Sequence, residues 1–387
     1  MTKIYLIRHA EAEGNLYRRI HGHYESLITP NGYRQIAALE RRFAEERIDA
    51  CYASDLLRTS VTAQAVCAPR ELPLRRDRRF REVGLGCWED VPFGQLEIEQ
   101  HERMIRFNAD PMSWSVEGSE TYPGFTGRFL EALGEAAAAH DGGTIAVFSH
   151  GAVLRSVLQR LFYPPEEVWK IGHCDNTGVS LLEFGNGTYR LIYANDNSHL
   201  TDDISTLARQ NWWRGAGEDH NVWFRPVTDG GWRYAAFRRD AWENLYGPDG
   251  SFDAGAFYAE AAEGAAGEPR ALVYALLGER KSGLVQLDPS RGAAEKIGYL
   301  PFLYLTPESR GKGLGIQLIG HAVSFYRARG RERLRLCVSP KNEAAIRLYL
   351  AAGFSGVGVA PGRYGDLLLM EMPIGFSELR KKFPVLA

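Results

Sequence analysis

The sequence predicts an α/β protein built from two domains. Short apolar runs of strand length alternate with amphipathic helical patterns through the first two hundred residues, which is typical of a parallel sheet covered by helices. A second series of strand and helix patterns starts again near residue 221. At 387 residues the chain is longer than one hydrophobic core usually supports, so we expect two cores.

The first series predicts a sheet and a terminal hairpin. Strands are predicted at residues 4–7, 50–53 and 144–148, and helices at 30–47, 59–66 and 152–161. Residues 178–184 and 189–193 flank the turn dipeptide Asn186-Gly187, which indicates an antiparallel hairpin.

The second series follows a polar cluster at residues 195–199 and a weakly patterned stretch. Strands are predicted at 221–227, 271–277, 282–287, 296–305, 334–338 and 366–372, and helices at 233–245, after Gly315 and at 343–352. We interpret residues 260–267 as a solvated loop or a helix end. The predicted division is a first domain at 1–200, a linker at 201–219, a second domain at 220–375 and a tail at 376–387.

The composition is that of an ordinary globular protein. With 46 basic and 48 acidic residues, its charge gives no reason to expect a nucleic acid or an anionic membrane as partner. No apolar segment has the length of a membrane span, and the N-terminus lacks a signal-peptide pattern. The five cysteines are scattered and never form a Cys-x-x-Cys pair, which argues against a disulfide scaffold or a zinc ribbon. We expect a soluble cytoplasmic protein without a resident metal.

The first strand pattern ends in an Arg8-His9 pair. The carboxyl end of a parallel strand is where open α/β sheets place their ligands. An imidazole beside a guanidinium suits attack on phosphorus, because the Arg holds phosphoryl oxygens while a ring nitrogen acts as nucleophile. Alone, such a histidine is more often structural than catalytic, so the hypothesis depends on further parts of a site.

Other element ends supply those parts. Arg58 lies one turn into a predicted helix, and His150 stands between a strand and a helix. Helix starts favour anions through their free backbone N–H groups. Together with Glu82 in a loop, these residues predict phosphoryl transfer through a phosphohistidine. In that scheme His9 attacks, Arg8, Arg58 and His150 stabilise the phosphoryl oxygens, and Glu82 protonates the leaving oxygen.

Over about two hundred residues the chain resembles the histidine phosphatase superfamily, with its phosphoglycerate-mutase-like three-layer α/β/α fold. The matching segments are residues 8–11 with Asn15, 27–32, 54–62, 81–89, 149–151 and 176–184. The resemblance implies that His9 is the phosphorylated nucleophile and Glu82 the acid–base residue. The phosphate pocket that it implies consists of Arg8, Asn15, Arg58 and His150.

Several residues in these segments leave alternatives open. The family usually has Gly where this chain has Ala10, and a positive φ there would cost Ala about 1 kcal/mol. The compact segment from Glu82 to Glu89 favours a phosphatase over a mutase. Glu89 is the less favoured proton donor and is interpreted as a surface carboxylate. We interpret Asp55 as a helix cap and Asn176 as a turn residue.

The second half contains a glycine-rich turn between a strand and a helix. Glycines at 311, 313 and 315 allow the backbone to approach an anion closely, and the helix start directs N–H groups at it. The spacing matches neither a P-loop nor a dinucleotide fingerprint. An isolated turn of this kind would be a basic surface loop.

With the downstream segment 338–354, this turn resembles the GNAT acetyltransferase family over residues 220–374, an α/β fold with a mixed sheet. The resemblance implies that acetyl-CoA, as cosubstrate, has its pyrophosphate held by Arg310, Gly311, Lys312, Gly313, Leu314 and Gly315. It implies that the strand of Leu303 and Leu305 pairs with pantetheine, that Asn342 contacts the cofactor and that Tyr349 protonates the leaving thiolate.

Two points about this second site stay open. The less favoured alternative for Tyr349 is a structural role, since a tyrosine on the inner face of a helix also packs well in a core. The general base is not identifiable, because the strand at 296–305 has no carboxylate and only Glu295 and Glu308 flank it.

The preferred interpretation is a bifunctional enzyme. It combines phosphomonoester hydrolysis on a small-molecule phosphate ester with acetyl-CoA-dependent N-acetyl transfer to a small-molecule or peptide amine. One alternative is that only one half is catalytic and the other binds a ligand or regulates. A second is phosphoglycerate-type mutase activity in the first half.

Overall fold

A computed structural model describes residues 1–164, 167, 169–210, 220–248, 252–362 and 365–383. Residues 211–219 of the predicted linker and 384–387 of the predicted tail lie outside the described residues. Within these ranges every helix is too short or too polar to cross a lipid bilayer.

The first half folds around a mixed sheet with the order β3-β2-β4-β1-β5-β6. Its strands are β1 (Thr2–Arg8), β2 (Ala50–Ala53), β3 (Leu74–Arg76), β4 (Thr144–Ser149), β5 (Val179–Gly185) and β6 (Thr188–Asp196). Strands β1 to β4 are parallel, and β5 and β6 form the antiparallel hairpin expected at Asn186-Gly187.

Helices cover both faces of this sheet. They are α1 (Glu13–Tyr17), α2 (Pro30–Phe43), α3 (Leu57–Cys67), α4 (Phe93–Glu99), α5 (His101–Ala109), α6 (Tyr122–Ala138), α7 (Gly151–Phe162) and α8 (Thr206–Arg209). Alternate residues of β1 face opposite ways, so Ile4 and Leu6 join one apolar cluster with α6 and α7. Tyr5 and Ile7 join another with α2 and α3. The predicted three-layer α/β/α architecture is confirmed.

The strand register determines where the predicted site residues meet. Arg8 at the end of β1 pairs with Ser149 at the end of β4. Since the two strands are parallel, the next residues, His9 and His150, leave the same edge of the sheet side by side. Strand β2, whose Ala53 lies beside Phe148, ends at this edge as well.

The second half folds around a mixed sheet with the order β12-β13-β11-β10-β9-β8-β7. Its strands are β7 (Trp223–Pro226), β8 (Leu272–Leu277), β9 (Arg280–Asp288), β10 (Ile297–Leu305), β11 (Arg333–Val338), β12 (Ser355–Ala360) and β13 (Leu367–Pro373). Its helices are α9 (Trp232–Tyr246), α10 (Ala254–Gly264), α11 (Gly315–Arg327), α12 (Glu343–Ala352) and α13 (Ser377–Lys382). Most of residues 260–267 thus belong to the end of α10.

Strands β10 and β11 separate along their length. They pair in parallel only where Ile297–Tyr299 face Arg333–Arg335, although both strands continue beyond this point. A register shift between Tyr299 and Phe302 bends β10 away. Among the described residues, the Leu303–Leu305 end of β10 therefore lacks a strand partner on its β11 side.

The two halves share an interface between α1 and α11. Gly320 of α11 lies against the Tyr17 ring of α1, where an added Cβ would come within 2.6 Å of a ring carbon. Beside it, Arg327 donates to the Glu13 carboxylate at 2.9 Å, and the two side chains are only 10% and 9% exposed. The C-terminal end also returns to the first half, because Phe383 packs with Ala10.

We predict that Arg327→Met lowers the free energy of unfolding by about 3–5 kcal/mol, because it leaves the Glu13 carboxylate buried without its partner. Urea denaturation of the full chain measures this. The double variant Glu13→Gln/Arg327→Met should recover part of the loss. Arg347→Met, which removes an exposed pair with Glu343, is the control and should change stability by less than about 0.5 kcal/mol. An equal effect of Arg327→Met and Arg347→Met would contradict the prediction.

Candidate active site

His9 is buried with one ring nitrogen committed. Its Nδ1 lies 2.7 Å from the Ala10 carbonyl oxygen, which can only accept, so Nδ1 carries the proton and Nε2 keeps a lone pair. Burial, and then the positive charges of Arg58 and Arg8, hold the pKa of His9 well below its ordinary value. The ring is therefore neutral at pH 7, the state that a nucleophile needs.

Arg58 is fully buried and organises the histidines. Its two terminal nitrogens donate to the carbonyls of Gly22 and Tyr24, each at 2.8 Å, and its Nε donates to Nδ1 of His150 at 3.2 Å. Burial lowers the pKa of Arg58 to about 10. Since Nδ1 of His150 accepts, its Nε2 carries the proton in the neutral ring.

Two buried donors at this site have no partner among the described residues. They are Nε2 of His150, whose ring centroid is 5.2 Å from that of His9, and Nε of Arg8. Another Arg8 nitrogen donates to the Cys174 carbonyl, which orients the guanidinium. Gly151 lets Arg8 approach α7, because an added Cβ would lie 3.0 Å from its Nε. Buried donors without acceptors are costly, and an anion placed between them would satisfy both.

Glu82 is held at the N-terminus of α7. Its carboxylate accepts from the backbone N–H groups of Val83 at 3.0 Å, Ala152 at 3.0 Å and Val153 at 2.7 Å. Glu82 also lines the same cavity as Arg8. Both the helix dipole and the three donors keep the carboxyl group in place at the cavity wall.

Two asparagines complete this edge of the sheet. The Asn15 side-chain oxygen accepts from the Ala12 N–H at 3.1 Å and from Asn176 Nδ2 at 3.3 Å. Asn176 also donates to the His9 carbonyl at 3.0 Å. Asn176 is fully buried and holds the end of β1, which is a more specific role than the turn residue that we expected.

A cavity of about 220 Å³ opens beside these residues. Arg8, Asn15 and Glu82 line it, whereas His9, Arg58 and His150 are buried next to it. The structure therefore brings together all six residues predicted for the first site. Among the described residues, no cluster of three or more His, Cys, Asp or Glu side chains is placed to hold a metal ion.

Sequence reasoning missed His21. Its ring centroid lies 5.9 Å from that of His9, and its Nε2 accepts from the Gly14 N–H at 2.8 Å. Burial, then Arg58 and Arg8, lower the pKa of His21 well below the ordinary value. No periodicity marks this position, because His21 lies in a loop; its nearness to the strand-end motif was the only available signal.

Two residues near the site differ in detail from the expectations. Asp55 is not the cap of α3, whose N-cap is Leu56; its carboxylate pairs with Arg81 at 2.5 and 2.6 Å. Glu89 is half-buried rather than on the surface, and accepts from the His23 N–H at 2.8 Å and from the Leu85 N–H at 3.0 Å.

Ala10 does not strain the loop. Ala10 is not among the described residues with a positive φ, so alanine adopts the backbone conformation at this position without strain. Its N–H donates to Thr62 Oγ1 at 2.9 Å, and its methyl group is fully buried beside Leu57 and Phe383.

In the second half, the glycine-rich turn forms an open cradle before α11. Gly311 and Gly313 both have φ +74°, with open space where a Cβ would stand. The N–H groups of residues 311–314 have no acceptor among the described residues. The Arg310 side chain turns back instead, donating to the Leu305 carbonyl and to Asp240, each at 2.9 Å.

The other predicted residues of this site lie around the gap between β10 and β11. Leu303 and Leu305 are on the free end of β10, and Asn342 caps α12 by accepting from the Ala345 N–H at 3.2 Å. Tyr349 is buried against Phe354, with ring centroids 5.6 Å apart. Burial raises the pKa of Tyr349 to about 12, and its hydroxyl has no partner among the described residues.

Asp240 on α9 is a carboxylate near β10 that the sequence did not reveal. It accepts from the Tyr304 hydroxyl at 2.7 Å as well as from Arg310. Helix α9 is far from β10 in sequence, so only the packing of the two elements brings this carboxylate to the strand. Glu295 and Glu308 flank the strand as the sequence indicates.

Comparison with known families identifies the family to which the first half belongs. The histidine phosphatase superfamily (branch 1) matches residues 4–197. The chain belongs to the histidine phosphatase superfamily. The predicted strand-end motif of Arg8 and His9 is thus the N-terminal part of a histidine phosphatase domain.

A second family matches the other half of this histidine phosphatase superfamily member. The acetyltransferase (GNAT) family matches residues 234–354. The chain therefore combines both families, which confirms the predicted fusion and both fold assignments.

Curated relatives match the histidine phosphatase half. Phosphoserine phosphatase 1 of Hydrogenobacter thermophilus is 26% identical over 201 residues, covering 52% of this chain and 95% of its own. A probable phosphoglycerate mutase GpmB of Proteus mirabilis is 27% identical over 208 residues, covering 52% and 96%. Among solved structures, Bacillus stearothermophilus YhfR is 28% identical with a TM-score of 0.49, covering 51% of this chain and 99% of its own.

Because the buried histidines are neutral, we predict that the free energy of unfolding depends on pH. A histidine with a lowered pKa stays uncharged in the folded chain but takes up a proton in the unfolded chain below about pH 6.5. The free energy of unfolding should therefore fall as the pH drops from 7 to 5. The histidines of the first site that contribute are His9, His21 and His150.

Chemical denaturation at several pH values measures this slope. His21→Gln keeps an acceptor for Gly14 and removes one such proton, so it should reduce the slope by up to about 1.4 kcal/mol per pH unit. A slope that is the same in His21→Gln and the parent chain would contradict the lowered pKa of His21.

Proposed function

We propose that this protein is a bifunctional enzyme. Its first half hydrolyses a small phosphate monoester through a phosphohistidine, and its second half transfers an acetyl group from acetyl-CoA to an amine. The observation that carries the first activity is the neutral His9 ring beside two buried donors, Nε of Arg8 and Nε2 of His150, which have no partner in the described part of the chain. We keep the domain bounds 1–200 and 220–375, with a linker at 201–219 and a tail at 376–387.

The first chemical step forms a bond between His9 Nε2 and phosphorus while the ester P–O bond breaks. Arg8, Asn15, Arg58 and His150 hold the three non-bridging oxygens, whose negative charge is greatest in the transition state. For this step Glu82 must be in its carboxylic acid form, which delivers its proton to the leaving oxygen so that an alcohol departs.

The second step returns the enzyme to its starting state. Glu82, now a carboxylate, takes a proton from water as the water oxygen attacks phosphorus. The P–N bond breaks, inorganic phosphate leaves and His9 regains its lone pair. Because the same carboxyl gives and then takes one proton, the cycle closes without a metal.

Mutase activity is the second candidate for this half. The names of the matching relatives include both a phosphoserine phosphatase and a probable phosphoglycerate mutase. The compact segment from Glu82 to Glu89 favours hydrolysis, because mutases of the family carry a longer covering insertion there. A mutase must return the phosphoryl group to its substrate, so phosphate release from a single ester distinguishes the two.

Acetyl-CoA fits the observed cradle in the second half. When bound, it supplies the acetyl group. The free N–H groups of residues 311–314 and the start of α11 suit its pyrophosphate, and the free end of β10 at Leu303 and Leu305 suits the amides of pantetheine. Asn342, which the resemblance assigns to cofactor contact, is the N-cap of α12. Tyr349, which burial keeps protonated, holds a proton for the departing thiolate.

One observation favours the alternative that the second half only binds an acyl-CoA. Asp240, the carboxylate that contacts Tyr304 of β10, is already engaged by Tyr304 and Arg310. A free base for the amine is therefore not evident among the described residues. Acetyl transfer to a panel of amines, measured as thiol release, distinguishes catalysis from binding.

We predict that incubation with a ³²P-labelled phosphomonoester, quenched rapidly, leaves an acid-labile and alkali-stable label on the full chain. His9→Gln should abolish the label, because Nε2 of His9 is the proposed nucleophile. His140→Gln, at a histidine outside the cavity, is the control and should retain the label. Glu82→Gln should lower kcat by about 10²–10⁴-fold, since it removes the proton donor. Label that survives His9→Gln would contradict the mechanism.

We predict that acetyl-CoA raises the unfolding temperature of the full chain and binds in a calorimetric titration. Gly313→Ala should weaken binding at least tenfold, because φ +74° is strained for Ala at the cradle. Gly330→Ala is the matched control: Gly330 has φ +70° and equally open surroundings, but lies after α11, away from the cradle. Equal affinity of Gly313→Ala and Gly330→Ala would contradict pyrophosphate binding at this turn.

A further inference from the structure

The cavity of the first half extends from the phosphate end along α7. Gly151 and Ala152 in the first turn of this helix line it, and so do Arg155 and Ser156 one turn later. Four residues of an α-helix rise about 6 Å, so Arg155 stands about 6 Å farther along the helix than the glycine that touches Arg8. Because Arg8 and Arg155 line the same cavity, one molecule bound there can contact both side chains.

Arg155 is a half-buried cation without a carboxylate partner among the described residues. Its Nε donates to the Ile171 carbonyl at 2.8 Å, and its guanidinium lies 3.9 Å from the centroid of the Trp169 ring. Burial lowers the pKa of Arg155 to about 10, which leaves it charged at pH 7. These contacts fix the orientation of the guanidinium, and its terminal nitrogens, which have no acceptor among the described residues, are available for an anion.

The cavity also has aromatic walls. They are formed by Phe93, Phe107, Trp114 and Phe125. Phe107 and Trp114 also pack against each other, with ring centroids 4.9 Å apart. Such walls favour a flat, apolar group.

In the described part of the chain, the other charged side chains that line the cavity are two arginines and one carboxylate, and each of them has a partner. Arg19 pairs with Asp90 at 2.7 Å, and Arg18 donates to Asn221 at 2.9 Å while lying over the Phe93 ring. Glu82 is the carboxylate among the lining residues, and backbone N–H groups hold it. The lining therefore favours a ligand that carries more than one negative group.

We propose that the substrate of the phosphatase site is a phosphate monoester with a flat apolar or aromatic leaving group that bears a second anionic group, and that Arg155 binds this second anion. The proposal rests on the proposed phosphatase function and names the substrate class of the same site. The second anion has the chemistry of a carboxylate or of another phosphoryl group, and either can accept the two N–H groups that a guanidinium directs in parallel.

Binding of non-hydrolysable phosphonates to the full chain tests the proposal independently of turnover. The probes are phenylphosphonate, 4-carboxyphenylphosphonate and 1,4-phenylenediphosphonate, titrated calorimetrically. We expect one or both of the doubly anionic probes to bind at least tenfold more tightly than phenylphosphonate. The tighter of the two then identifies the second anion as a carboxylate or a phosphoryl group.

Variants at residue 155 test whether Arg155 causes the tighter binding of the doubly anionic probes. Arg155→Met should abolish the advantage of the doubly anionic probe and change the Kd of phenylphosphonate less than twofold, whereas Arg155→Lys should keep part of the advantage. Arg160→Met, on the exposed side of α7, is the control and should leave all three affinities unchanged. Equal affinity of the parent chain for the three probes, or an equal loss for all of them in Arg155→Met, would overturn the proposal. Loss of the phosphohistidine label would overturn only the proposed function, since these titrations need no chemistry.

Discussion

The parallel pairing of β1 with β4 is the constraint on which the first site depends. The register of Arg8 with Ser149 places His9 and His150 side by side at the edge of the sheet. Arg58 of α3 then donates a hydrogen bond to His150. Arg58 can be buried only because two carbonyl oxygens and a ring nitrogen accept hydrogen bonds from its N–H groups. Its charge in turn helps to keep both histidines neutral. One buried cation therefore links the sheet register to the protonation state of His9, the proposed nucleophile.

A single short helix connects this site with the second half. Helix α1 follows the strand-end motif and carries Asn15 beside the cavity, while its Tyr17 and Glu13 pack against α11. Helix α11 begins at the glycine cradle of the acetyltransferase domain. The parts of both halves that we propose to bind anions are thus attached to the two sides of one interface, and the buried Glu13–Arg327 pair lies inside it.

Particular residues show why some structure could not be predicted. Helix α6 was missed because Gly127 and Gly134 in its interior lower its helix propensity, yet its buried face packs on the sheet and stabilises it. Strand β12 is exposed and glycine-rich, and only pairing with β13 makes it a strand. The partial burial of Glu89 could not be predicted from neighbouring residues, because one of its two backbone donors, His23, lies in a distant loop.

The sequence by itself determined the two families, the strand-end and helix-start motifs and most of the regular elements, because these depend on local periodicity and on residue types at fixed spacing. The tertiary structure decided what depends on packing between distant segments. It placed His21 beside His9 and paired Asp55 with Arg81. It also brought Asp240 to β10 and left Arg155 without a carboxylate partner among the described residues. Burial and charge proximity arise only when such segments meet, and they decide which groups are neutral, which are paired and which are available for a ligand.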